Sequence, residues 1–406
     1  MSQLRFQGPA GNDLAGHLDL PVGEPSAVAL FAHCFTCGKD LKATARISRA
    51  LARRGIATLR FDFTGLGESG GDHAASTFAA NVEDLVAAAD FLRRELMAPA
   101  LLVGHSLGGA AVLAAAHRVP ESVAVVTIGA PASTDHLREL LVRRAPQLAA
   151  GAETVEVDLG GRAVRVGRAL LDDLASTRLD ERIAELGRAL LVMHSPVDLV
   201  VGIDHARRIF EAARHPKSFV ALPEADHLLL RDPADSEYVA AVLCAWSSRF
   251  VPSVPEEDRE GRELAPTEVR VHGHRGLAQH VHAGRHHLIA DEPEAQGGTD
   301  LGPTPYAYLL AGLGACTAMT LRLYAQRKGW ELGEVDVVLR HERAHAADAA
   351  AAGVERLERI SKEVTFGGEL DDEQRARLLE IADRCPVHRT LTGELEIVSG
   401  LGSGEA

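Results

Sequence analysis

Leu101-Leu102-Val103-Gly104-His105-Ser106-Leu107-Gly108-Gly109, continued by Ala110 to Ala116, is the stretch that decides the fold of the first half of this chain. A short apolar run reads as a buried strand and an alanine-rich run as a helix, and between them stands Gly-x-Ser-x-Gly. Such a turn holds its serine in a strained backbone with close neighbours on both sides, so side chains at 104 and 108 would clash.

Outward from that turn, residues 15 to 250 alternate β-branched runs with Ala/Leu/Arg helical patterns. This is the pattern of an α/β domain with a mostly parallel, doubly wound sheet. Ala27 to Ala32, Ile56 to Phe61, Leu101 to Val103, Val123 to Ile128, Ala189 to Met193 and Ser218 to Leu222 are the strand candidates. Thr44 to Arg54 and Asn81 to Leu96 carry apolar residues at helical spacing and read as crossover helices. Residues 135 to 187 break the rhythm with a helix, a hairpin over Thr154 to Val166 turning at Gly160-Gly161, and another helix. They read as an insertion or lid.

The composition changes after residue 251. Pro252 to Glu263 is rich in proline and charge and reads as a solvated acidic linker, 252–265, between a domain at 1–251 and another at 266–406. The second domain shows two polar-alternating strands, a long apolar helix from Tyr306 to Lys328 closed by Gly329, strands near Val335 to His341 and Arg359 to Phe366, and a helix from Asp371-Asp372 to Arg384. That order is α+β.

The 406 residues carry 43 Lys+Arg against 57 Asp+Glu, a formal charge of −14, which excludes a basic nucleic-acid binder. A hydrophobic share of 46% with 25% charged residues is ordinary globular composition. Five scattered cysteines do not make a disulfide framework and are expected as reduced thiols. The opening residues lack a signal-peptide run, and no stretch approaches the ~18 apolar residues of a membrane span. The expectation is a cytoplasmic protein without membrane or nucleic-acid partners.

A serine hydroxyl becomes a useful nucleophile when a histidine takes its proton and a carboxylate fixes that histidine's tautomer. On this fold the chain order is Ser, acid, His. Asp198 follows the strand Leu190 to Met193, and His227 follows the next strand, both in loops where α/β sheets collect their active groups. Ser106, Asp198 and His227 are therefore the candidate triad. Asp226 and Glu224 lie close in sequence, but a carboxylate adjacent to its histidine rarely points at the ring.

On these residues, 1 to about 250 resembles an α/β-hydrolase of the esterase, lipase and serine aminopeptidase kind. Phe31-Ala32-His33-Cys34-Phe35 takes the place of that family's His-Gly-x oxyanion segment, with Cys34 where glycine is usual, and Arg60 to Ser69 resembles its Gly-x-Gly-x-Ser turn. The resemblance implies that the backbone N–H groups of Phe35 and Leu107 hold the oxyanion and that the substrate is a small acyl ester, thioester or amide. Cys34-x-x-Cys37 invites a redox or metal reading, but it lacks the second cysteine pair a zinc site needs, and it reads first as a packed or incidental pair beside that segment.

The C-terminal part carries Leu313-Gly314-Ala315-Cys316-Thr317 in its apolar helix and Cys385-Pro386-Val387-His388 at a helix break, where free N–H groups favour thiolate. Residues 266 to 400 resemble the OsmC/Ohr family, α+β proteins that reduce organic hydroperoxides as dimers. The resemblance implies Cys316 as peroxidatic thiol, Cys385 as resolving thiol, an organic hydroperoxide substrate, a dithiol reductant and a homodimer. In that family a glutamate about ten residues before the first thiol and an arginine assist it. Here the stretch reads Pro305-Tyr306-Ala307-Tyr308, and Arg285 is the candidate arginine. Two readings stand: a bifunctional hydrolase and thiol peroxidase, or a hydrolase whose second domain is a non-catalytic dimerisation or ligand-binding module. His272, His274, His280, His282, His286 and His287 read as solvated strand histidines, and no metal or other cofactor is expected.

Overall fold

Every residue of Ala27–Ala32 (β3), Ile56–Phe61 (β4), Leu101–His105 (β5), Ala124–Ile128 (β6) and Ala189–His194 (β9) is buried. A strand covered on both faces has no reason to alternate, which is why these segments read as continuous apolar runs. The computed structural model describes residues 2–34, 37–158, 163–251, 264–265, 267–273, 276–343 and 358–401. Most of the expected linker and the hairpin turn Gly160-Gly161 lie outside the described residues. The chain forms two units, 1–288 and 289–406.

In the first unit an eight-stranded sheet runs β1-β2-β4-β3-β5-β6-β9-β10, with Ser2–Gln7 (β1), Asp13–Asp19 (β2) and Lys217–Ala221 (β10) completing it. From β4 to β10 all neighbours are parallel; β1 and β2 pair antiparallel at one edge. Successive residues of β3 serve opposite faces: Leu30 joins Leu59, Leu85, Leu92 and Val112 in one core, and Phe31 joins Ile47, Leu101, Leu191 and Leu243 in the other. Lys42–Ala52 (α1) and Pro233–Ser247 (α9) cover the second face, while Phe78–Glu95 (α2) and Leu107–Ala115 (α3) cover the first.

The insertion between β6 and β9 folds as helices Asp135–Arg144 and Pro146–Ala149, the hairpin Thr154–Asp158 with Ala163–Gly167, and helices Arg168–Ser176 and Leu179–Ala184. Leu141, Leu148, Leu170 and Leu174 fasten it to the first core. Where two strands are expected after residue 266 there are three, Val269–His272, Gln279–Ala283 and His286–Ala290, in one sheet. The third is short and mostly exposed, so its burial leaves little periodic signal.

The second unit is built on Pro305–Lys328 (α10). Thr304 caps it by accepting from the N–H of Ala307, Pro305 occupies the first turn, and Gly329 ends it at φ 68°. Leu321 and Ala325 pack on Leu378, Ile381 and Ala382 of the helix Asp372–Ala382. Val335–Arg343 (β14) pairs antiparallel with Glu358–Phe366 (β15), and a short helix Pro386–Thr392 follows. Among the described residues no helix is long and apolar enough to cross a membrane.

Candidate active site

Ser106 stands between β5 and α3 at φ 55°, ψ −124°, a conformation non-glycine residues rarely adopt. A Cβ on Gly104 would lie 2.3 Å from the carbonyl oxygen of Gly108, and one on Gly108 would lie 2.3 Å from that of Ala32. The strained turn therefore requires both glycines. Its N–H donates to the carbonyl of Ile128 at 2.8 Å, tying the serine to the end of β6. Leu107 opens α3, so its N–H has no acceptor within the helix.

The structure brings the three expected residues together. His227 Nδ1 donates to Asp198 Oδ2 at 2.7 Å, which leaves Nε2 as the acceptor for the Ser106 hydroxyl at 2.9 Å. Asp198 Oδ1 accepts from the N–H groups of Val200 at 2.8 Å and Val201 at 3.0 Å. Burial would raise the Asp198 pKa, but the hydrogen bond and charge of His227 and these two N–H groups outweigh it and hold the carboxyl below its ordinary value. Asp226 turns away from His227: its carboxylate accepts from the N–H groups of Leu228, Leu230 and Arg231.

Two buried histidines that sequence reasoning passed over support this arrangement. His105 Nε2 donates to the carbonyl of His227 at 2.6 Å, and burial, with the nearby His227, pushes its pKa down to about 3. His194 Nε2 donates to the carbonyl of Val201 at 2.8 Å, closing the turn whose N–H groups hold Asp198, and burial lowers its pKa too. Neither had a signal beyond its place beside a candidate. Gly129, at φ +56°, completes the floor, with its Cβ position 3.4 Å from both Asp198 Oδ2 and His227 Nδ1.

Phe35 lies outside the described residues, and the loop around it carries one correction. Cys34 and Cys37, expected as reduced thiols, are joined by a disulfide, and Cys244, Cys316 and Cys385 are free. The tight turn brings the pair's Cα atoms to 5.2 Å, a separation a disulfide spans, which spacing alone did not reveal. Beneath the loop Lys39 is buried and its Nζ meets Asp62 at 3.1 Å, Asp40 at 3.2 Å and Glu68 at 2.6 Å. Burial opposes its charge, but the hydrogen bonds to Glu68 and Asp62 hold its pKa above the ordinary lysine range.

In the second unit Cys316 lies half-buried on α10 and Cys385 is buried at the N-cap of Pro386–Thr392. The Cys385 sulfur accepts from the N–H of His388 at 3.3 Å and sits 3.4 Å from the hydroxyl of Thr317, the residue after Cys316. An open groove of about 320 Å³ between α10 and β14 is lined by Leu310, Gly314, Ala315, Ala318, Val337 and Leu339. Tyr306, where the resemblance expects a carboxylate, stacks on His341 at 4.3 Å, and His341 bonds Glu358 at 2.7 Å. Arg285 is exposed in the first unit. His272 faces His282 at 3.1 Å and His280 faces His287 at 2.8 Å, while His274 lies outside the described residues. Among the described residues no group of three or more such side chains is placed to hold a metal.

Residues 23–154 match the family model described as serine aminopeptidase, S33, and residues 297–399 the model described as OsmC-like protein. The esterase domain from a Rhodothermus marinus protein is 49% identical, covers 61% of this chain and 98% of its own, and superposes with a TM-score of 0.52. Est1E from Butyrivibrio proteoclasticus, solved with ferulic acid, is 18% identical over 61% of this chain and 98% of its own at a TM-score of 0.54, a likeness of fold alone. An uncharacterized protein of Haloferax volcanii is 34% identical over 99 residues, 24% of this chain and 69% of its own length.

Proposed function

The chain belongs to the α/β-hydrolases of the esterase kind in its first part and to the OsmC-like proteins in its last, and on that premise we propose a bifunctional enzyme: a Ser106-His227-Asp198 hydrolase fused to a thiol peroxidase. The hydrogen-bonded path from Ser106 Oγ through the His227 ring to Asp198 carries the hydrolase half. Ser106 attacks the acyl carbonyl as His227 Nε2 takes its proton. Asp198 stabilises the imidazolium, and the oxyanion falls to the N–H of Leu107 and, by resemblance, of Phe35. His227 then returns the proton to the leaving alcohol, thiol or amine, and water repeats the cycle on the acyl-enzyme. The test is Ser106→Ala: ester hydrolysis drops at least ~10³-fold, and labelling by a fluorophosphonate is lost. A variant with full activity sinks the reading.

In the peroxidase half Cys316 thiolate attacks the distal oxygen of an organic hydroperoxide, releasing the alcohol and leaving a sulfenic acid. Cys385 condenses with it to a disulfide with loss of water, and an external dithiol restores both thiols. Cys385 caps Pro386–Thr392, its sulfur accepting the N–H of His388. Hydroperoxide consumption that disappears in Cys316→Ser is the expected result. Tyr306 in place of a carboxylate, together with the apolar groove, favours the second reading, a ligand-binding or dimerisation module; no turnover in either protein would select it. We also place the domain boundary in the acidic stretch 252–265 and the protein in the cytoplasm.

A further inference from the structure

Cys34 and Cys37 do nothing in this mechanism, yet they stand in the loop on which the nucleophile turn packs. The carbonyls of Ala32 and His33 lie 2.3 and 2.5 Å from where a Gly108 Cβ would be, so the start of the loop touches the turn that presents Ser106. The loop is clamped at both ends. His33 Nδ1 donates to the carbonyl of Cys34 at 2.6 Å, and the N–H of Lys39 donates to Asp62 Oδ1 at 2.7 Å. Between the clamps the N–H of Cys37 donates to the carbonyl of Cys34 at 3.1 Å, and the two sulfurs are bonded. The two residues are only 4% and 7% exposed, so the pair is held within the fold. Cys244 makes the contrast: it is buried alone on α9, and burial raises its pKa, as for an inert core thiol.

We propose that Cys34–Cys37 is a thiol–disulfide redox site that sets the loop beside Ser106, so that the hydrolase is fast with the pair oxidised and slow with it reduced. The proposal rests on the hydrolase reading. Its reaction partner is a low-molecular-weight dithiol and the corresponding disulfide. One thiolate of the dithiol attacks a cysteine sulfur, breaking the bridge and forming a mixed disulfide. The second thiolate displaces the remaining cysteine, leaving two protein thiols and an oxidised partner after transfer of two electrons and two protons. The reverse exchange restores the bridge. Opening the pair loosens Ala32 and His33, whose carbonyls meet the turn that carries Ser106 and the Leu107 N–H; what that N–H contributes belongs to the transition state and not to substrate binding, so kcat suffers and KM does not.

The experiment follows hydrolysis of p-nitrophenyl acetate by the full chain while it is titrated with reduced and oxidised dithiothreitol, with peptide mass spectrometry reading the state of Cys34 and Cys37 in each sample. The expected result is a fall in kcat of roughly 10-fold or more as the pair is reduced, KM within about twofold, and full recovery on reoxidation. The Cys34→Ser/Cys37→Ser double variant stays in the slow state and ignores the titration. Because the wild-type titration stands alone, a variant that fails to fold does not rescue the idea. A pair that converts with kcat unchanged overturns the proposal, as does one that resists excess dithiothreitol in the folded chain; both leave the hydrolase reading intact. No hydrolysis in either state, with no fluorophosphonate on Ser106, removes the hydrolase reading and this proposal with it.

Discussion

His105 precedes the candidate nucleophile Ser106, and its Nε2–H holds the carbonyl of His227, the histidine hydrogen-bonded to that serine. With a pKa near 3 in the folded chain against 6.5 in the open, it takes up a proton on unfolding at any pH between those values. Stability supplied by its neutrality is thus complete above about 6.5 and is lost as pH falls toward 3, by about 1.4 kcal/mol per pH unit. Denaturation of wild type and His105→Gln across that window is expected to show a shallower pH slope in the variant. Asp198→Asn removes the acceptor that fixes the His227 tautomer, and kcat is expected to fall by about 10²–10⁴ with KM little changed, read by steady-state ester hydrolysis. Ser106, Asp198 and His227, which the structure joins by hydrogen bonds, were legible as candidates because each follows a strand in the order that chemistry demands. His105 and His194 were not, since a histidine that donates to a backbone carbonyl leaves no pattern in neighbouring residues.

The fully buried strands gave the clearest reading, because burial on both faces removes every polar residue from a run and makes it stand out. β1, at the sheet edge, and β2 beside it were not read, since both mix polar with apolar residues and pair antiparallel before the parallel pattern starts. The Cys34–Cys37 bridge was equally hidden, since spacing does not say whether two thiols meet. At the nucleophile turn, Gly108→Ala pushes a methyl group into two carbonyls, and backbone cannot step aside as a flexible side chain can. A loss of roughly 3 kcal/mol is expected in urea unfolding, together with loss of esterase activity. Near the Cys34–Cys37 bridge, Lys39→Met leaves the Asp62 carboxylate buried without its cation, at a cost of roughly 3 kcal/mol by the same measurement.

On the scale of the whole molecule the second unit has a small core. Its buried apolar cluster is Leu321, Ala325, Leu332, Leu378, Ile381 and Ala382, while Met319 and Leu323 on the same helix are 66% and 55% exposed. A domain with so little inside gains most by covering such a face, and a second copy of the chain is the occupant the OsmC resemblance implies. Light scattering is therefore expected to give a dimer, and Leu323→Glu a monomer. The first unit carries its insertion in another way. Ser106, Asp198 and His227 leave the ends of β5, β9 and β10, and the whole insertion of residues 135–187 enters and returns between β6 and β9, which are themselves hydrogen-bonded neighbours. Its removal or replacement closes on a gap the sheet already bridges. Descendants of this chain can accordingly trade the insertion for another and keep the inherited sheet, with the three residues at its strand ends, as it stands.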